Sequence, residues 1–208
     1  MFLKKIFLGS VFSTLVSSVV FSSGFANAAA TALKVDTAAT KLNWLGKKVT
    51  GQHEGAIALK SGEIMVDKDM ITGGKFEIDM NSMTCTDIAD PDTNGKLLGH
   101  LKSEDFFGTE KFPTATFQIK SAKALPKADA NGNTHEISGD LTIKGISKPS
   151  KFPAKVELKA DAVTATGTVV VDRTLYGVKY GSGKFFQNLG DKVINDNFSI
   201  TLNLSAKK

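Results

Sequence analysis

The chain has 208 residues, 41% of them hydrophobic and 23% charged, with a formal charge of +5 at pH 7. This is the composition of a soluble domain large enough for a real core, and its lysines stand singly among acids, which argues against a nucleic-acid partner. Cys85 is the one cysteine, so no internal disulfide forms and the fold must be held by its core.

The N-terminus predicts an export signal. Lys4 and Lys5 give a positive start, Ile6 through Phe21 is an apolar run diluted by serines, and Ala26-Asn27-Ala28 supplies small residues for cleavage. The expectation is a signal peptide over 1–28, a mature domain over 29–208 and a periplasmic or secreted location. An uncleaved anchor is the competing reading, but the apolar run is short for a span. No later stretch is long and apolar enough to cross a bilayer as a helix.

From there the pattern is mostly period two, the signature of half-buried strands. Lys34–Thr37 is a short extended piece. Lys41–Thr50 alternates around Leu42 and Trp44, and His53–Val66 is a longer strand with a bend at Ser61-Gly62. Ile71–Met80 sets Phe76, Ile78 and Met80 against Lys75, Glu77 and Asp79. Thr84–Gly95 is polar and reads as a loop. Leu97, Leu98 and Leu101 then predict a short helix, followed by a turn holding Phe106, Phe107 and Phe112. Strands follow over Thr114–Ala122 and His135–Gly145, and Pro149 separates the second from a strand through Phe152, Ala154, Val156 and Leu158. Ala162–Asp172 and Val193–Leu204 complete the set, around a glycine- and aromatic-rich segment, Leu175–Gly190.

These elements make about eight strands, antiparallel by loop length, with one helical interruption and neither a βαβ alternation nor an internal repeat. The predicted fold is all-β: an eight-stranded antiparallel barrel with a short helix between strands, or a sandwich. Gly55, Ala115, Gly139 and Ala154 fall on the inner faces, where small residues leave room.

Leu42-x-Trp44, Gly51-Gln52-His53-x-Gly55, Gly74-Lys75-Phe76 running to Asp79-Met80-x-Ser82, and Gly99-His100-Leu101-Lys102-Ser103-x-Asp105-Phe106-Phe107 form one set of motifs. Phe112-Pro113-Thr114-Ala115-Thr116-Phe117, Gly139 through Gly145 and Asp172-Arg173-Thr174-x-x-Gly177 form another. Together, from Leu33 to Ser205, the sequence resembles the YceI-like family. The resemblance implies a lipocalin-like barrel, commonly exported, whose elongated apolar pocket takes an isoprenoid chain or a similar lipid.

Such a pocket needs branched and aromatic walls and few polar groups, since each buried CH₂ is worth about 0.8 kcal/mol before ordering costs. The inward set supplies them: Trp44, Phe76, Ile78, Phe106, Phe107, Phe117, Leu141, Ile143, Phe152, Phe198 and Ile200, with Leu97 and Leu101 joining Phe106 and Phe107 as a plug or gate. The same residues could instead pack together as a filled core. His100 and Arg173 are the candidate polar contacts. His53, His100 and His135 lie on separate elements without metal-ligand spacing, and no G-x-S-x-G elbow or complete P-loop is present. Cys85 has no basic sequence neighbour and reads as a packed thiol.

The expected function is an exported, non-enzymatic protein that holds an isoprenoid, quinone-like or fatty-acyl lipid for storage, transport or stress protection, with no catalytic residue, metal or cofactor. Two readings compete: a lipid-modifying barrel enzyme using Asp172, Arg173 or His100, and a filled-barrel structural protein. Oligomeric state stays open, a homodimer included.

Overall fold

The computed structural model describes residues 30–208; the expected signal peptide lies outside the described residues. Nine strands form one antiparallel sheet: β1 (Thr31–Val35), β2 (Lys41–Lys48), β3 (Gly51–Asp67), β4 (Met70–Asp79), β5 (Thr114–Ala124), β6 (His135–Ile143), β7 (Ile146–Lys159), β8 (Ala162–Asp172) and β9 (Ile194–Lys207). From β2 the ladder runs through β9, β8, β7, β6, β5 and β4 to β3, which pairs again with β2 and closes the barrel. β1 adds no stave of its own. It pairs with Glu63–Val66 of β3 and with Ala206 and Lys207 of β9, below the point where β2 starts, so β1 and β2 share one place in the wall. The eight-stave barrel expected from the alternation is therefore the architecture found.

Closure leaves no sheet edge unpaired along most of the wall and gives the barrel two different ends. At the lower end lie β1, the β3–β4 and β7–β8 turns and the C-terminus. At the upper end lie the β2–β3 turn, the long β4–β5 and β8–β9 connections and the two-residue β6–β7 turn. In that last turn Lys144 and Gly145 both have positive φ, 49° and 73°, the backbone that matches the twist of adjoining strands.

Two local expectations are corrected. Pro149 does not separate strands, because β7 runs through both Pro149 and Pro153. Both prolines pair with β6, while β7 meets β8 only from Ala154 onward, so the missing N–H groups cost no ladder bond on that open side. The helix also starts earlier than the leucine spacing suggests. α1 spans Pro91–Lys102, beginning inside the stretch read as loop. Asp90 caps it, accepting from the Thr93 N–H at 2.9 Å, and Pro91 takes the first position, where no N–H is needed.

The barrel interior is divided. In the lower half Leu33, Ile64, Phe76, Ile119, Ile137, Phe152, Ala154, Val163 and Ala206 form a packed core, with Ala154 1% and Val163 0% exposed. In the upper half the inward-facing Trp44, Ile57, Ile78, Phe198 and Ile200 are only half-buried although they point away from solvent-facing neighbours. The strand alternation is the same at both levels, so the difference reflects filling: the floor is solid and the top is hollow.

The small inward residues do not all make room. A Cβ on Gly55 would lie 1.9 Å from the Thr84 carbonyl oxygen, and one on Gly139 would lie 2.2 Å from the Gln118 carbonyl oxygen and 2.8 Å from the Phe117 ring. These glycines permit close approach rather than opening a void. Ala154 is part of the packed floor, and only Ala115 faces the hollow part.

Candidate functional site

The hollow half encloses a cavity of about 200 Å³. Its wall is built by the inner face of each contributing strand: Leu42, Trp44 and Gly46 on β2, Ile57 on β3, Ile78 on β4, Ala115 on β5, Leu141 and Ile143 on β6, Val171 on β8, and Phe198 and Ile200 on β9. Met80 and Met83 close the wall beyond β4, and Leu97, Leu101, Phe106 and Phe107 cover the top. From Leu42 to Lys48 the lining follows β2 for six residue steps, on the order of 20 Å along the tilted strand.

Ten of the residues expected at an apolar pocket line this cavity: Trp44, Ile78, Leu97, Leu101, Phe106, Phe107, Leu141, Ile143, Phe198 and Ile200. Three do not. Phe76, Phe117 and Phe152 cluster below it, Phe76 and Phe117 stacked with centroids 6.4 Å apart and Phe152 tilted against Phe117 at 5.7 Å, and they pack with the floor. Their alternation points them inward correctly, but depth along the barrel puts them in the packed half.

The cover is pinned by polar contacts at its edges. The ammonium of Lys144 donates to the carbonyls of Glu104 and Phe106 at 2.9 and 2.7 Å, and that of Lys102 donates to the Asn81 carbonyl at 2.8 Å. α1 itself buries no residue fully. Its contact with the β8–β9 connection is aromatic: His100 meets Tyr180 edge-on at 4.6 Å and Phe106 at 4.8 Å. His100 does not line the cavity; its Nε2 lies 3.4 Å from the exposed Asp105 carboxylate.

Arg173 touches the cavity wall, but its guanidinium is used elsewhere. Nε donates to the Asn195 carbonyl at 3.0 Å, one terminal nitrogen to Val178 and Tyr180 at 3.0 and 2.8 Å, and the other to Ile194 at 3.0 Å. The nearest carboxylate oxygen to Arg173, on Asp196, stands 3.7 Å away. Arg173 instead ties the β8–β9 connection to the start of β9 through backbone carbonyls. Asp172 caps the following turn, accepting from the Thr174 N–H at 2.9 Å and from Lys184 at 3.0 Å.

A polar cluster joins residues too far apart in the chain to leave a spacing signal. Asp87 accepts from the Glu54 N–H at 2.9 Å and the Cys85 thiol at 3.2 Å with one oxygen, and holds His53 Nδ1 at 2.8 Å with the other. Burial alone would raise the Asp87 pKa, but hydrogen bonds from the Glu54 N–H, His53 and Cys85 outweigh it and lower it to about 2. An ionised carboxylate only accepts, so His53 carries its proton on Nδ1. Burial and the Asp87 contact push the Cys85 thiol up, away from the reactive thiolate. His53 and Cys85 meet the carboxylate on opposite oxygens, not each other. The only sequence sign of this loop's order was Asp90-Pro91, a helix start.

The geometry defines a class: a closed antiparallel β-barrel with a filled floor and an apolar cavity beneath a helical cover. The chain belongs to the YceI-like domain family, whose model matches residues 33–206. Among solved structures, BcnA of Burkholderia cenocepacia is similar at a TM-score of 0.62 and 24% identity, covering 83% of this chain and 99% of that one. A polyisoprenoid binding domain from Saccharophagus degradans is similar at 0.58 and 17% identity, covering 84% and 97%. At these identities the likeness is one of fold. A UPF0312 protein of Pseudomonas aeruginosa is 42% identical over 57 residues, 27% of either chain. One from Staphylococcus aureus is 34% identical over 88 residues, 39% of this chain and 46% of that relative. The chain thus spans less than half the length of these curated relatives.

Proposed function

We propose that this protein is an exported carrier that holds the tail of an isoprenoid, or of a similar single-chain lipid, in the upper half of its barrel. One observation carries the reading: inward-facing Trp44, Ile57, Ile78, Phe198 and Ile200 stay half-buried around a cavity whose wall is almost wholly apolar. An apolar surface withheld from both solvent and its own core is costly unless something else covers it. The polyisoprenoid binding domain of Saccharophagus degradans, which has the same fold, supports an isoprenoid as that cover. Leu97, Leu101, Phe106 and Phe107 then act as the gate, and the signal-like 1–28 segment directs the protein to the periplasm or the exterior. The protein binds rather than transforms: Asp172, Arg173 and His100 are each engaged in structural contacts.

Organic extraction of protein purified from its native host, followed by mass spectrometry, tests the proposal. A co-purifying single-chain lipid is expected. An empty extract together with no binding of a polyprenyl probe would sink it.

A further inference from the structure

The ionisable groups of the cavity are not spread around it. Lys47 and Lys48 come from the end of β2, and His53 from the facing end of β3, with Gln52 beside it and Asn195 opposite. All lie at the upper rim, next to the β2–β3 turn. Below them the wall is apolar down to the floor. A local irregularity brings these groups together. Between Gly46 and Lys48 the β2 strand advances two residues, while β9 passes from Phe198 to Ile194, so β9 bulges. Bulges re-aim side chains at the rims of barrels. Here Lys47, Lys48, Ile194 and Asn195 all border the cavity.

The charges at this rim have one sign. The charged side chains of the lining are Lys47, Lys48 and Arg173, with no carboxylate among them. The carboxylates near these residues face other groups: Asp87 holds His53, the Glu54 N–H and Cys85, and Asp196 meets Lys184 at 3.2 Å with one oxygen while the other, without a hydrogen bond, stands 3.7 Å from Arg173. Arg173 spends four of its five N–H donors on backbone carbonyls. Lys47 and Lys48 form no ion pair among the described residues. Asp87 fixes the His53 ring through Nδ1, so His53 borders the rim as a polar neighbour and the two lysines supply its free charge. A low-dielectric cleft edged by cations of one sign concentrates field at its mouth.

Resting on the reading of the cavity as a lipid-tail site, we propose that the rim formed by Lys47 and Lys48 is a head-group site for an anionic single-chain amphiphile. The tail enters the apolar hollow and the anion, a carboxylate or a phosphate, stays at the rim between the two lysines. A neutral alcohol or amide head would leave both ammonium groups without a counter-charge, and so would bind by its tail alone.

Tail-matched pairs separate the two contributions. Binding of palmitate against palmitamide, and of geranylgeranyl phosphate against geranylgeraniol, would be measured calorimetrically on intact, delipidated protein and on its Lys47→Gln/Lys48→Gln variant. Both lysines are exposed, so the variant should fold, as circular dichroism would verify. At least one anionic lipid should bind about tenfold tighter than its neutral partner. That advantage should shrink in the variant and in high salt. Whichever pair carries the advantage identifies the anion as carboxylate or phosphate. Equal affinity within both pairs, or an advantage untouched by the lysine substitutions, overturns the head-group site and leaves the lipid cavity standing. Failure of all four ligands to bind overturns both.

Discussion

Trp44 donates its indole N–H to the carbonyl of Thr84 at 2.9 Å, passing over Gly55, where no side chain fits. This bond joins the inner face of β2 to the segment leading into α1 and sets one wall of the cavity. Trp44 is the sole tryptophan of the chain. Its emission should therefore report cavity occupancy directly, shifting when a lipid tail displaces water and returning on extraction. Trp44→Phe should lower stability by about 1 kcal/mol through the lost hydrogen bond. Gly55→Ala should cost more, since the added carbon meets backbone. Urea denaturation of both variants checks the order.

The cover is a second target. Phe107 is half-buried, lines the cavity and meets Phe198 edge-on at 6.0 Å. Phe107→Ala should speed lipid release about tenfold while lowering stability by about 1–2 kcal/mol. Stopped-flow displacement of a bound probe measures the first effect and urea denaturation the second. A large loss of stability with unchanged release would make this residue core alone.

Arg173 is 4% exposed and donates to four backbone carbonyls. Arg173→Met should destabilise the protein by about 3 kcal/mol or more, because those acceptors lose their donor while Asp196 stays buried. Lys cannot replace the planar fork, so Arg173→Lys should rescue little. Amide exchange should rise first between residues 178 and 195. Exchange that rises uniformly would contradict a local tie.

Acid should weaken the segment around Asp87. Its folded pKa, about 2, lies below its ordinary value of 3.8. The stabilisation is present in full above about 4 and is lost as pH falls through about 2. With allowance for solvent screening it amounts to about 1 kcal/mol. Asp87→Asn should remove this dependence and lower stability at pH 7. Denaturation midpoints compared between pH 2 and pH 6 check the difference.

The barrel was legible because alternation is a local property. Ile137, Gly139, Leu141 and Ile143 declare an inner face without help from the rest of the chain. Depth is not local. Phe117 and Leu141 are register partners, yet Leu141 lines the cavity and Phe117 reaches toward the floor. That distinction depends on side-chain direction and on what the opposite wall supplies. The Asp87–His53 contact spans 34 positions and has no periodic signature. The carbonyls that Arg173 collects belong to an irregular segment, where sequence carries little record of backbone direction.

The solid floor makes the barrel a ruler. Phe76, Phe117 and Phe152 form a stop beneath the apolar hollow. On the proposed reading, a tail anchored at the top and halted at the bottom would be selected by its extent, and a longer chain would protrude or force the stop aside. Shortening the stop with Phe117→Ala should move the preference toward longer prenyl chains in a competition among farnesyl, geranylgeranyl and undecaprenyl compounds. An unchanged ranking would mean that the aromatic floor yields to its guest.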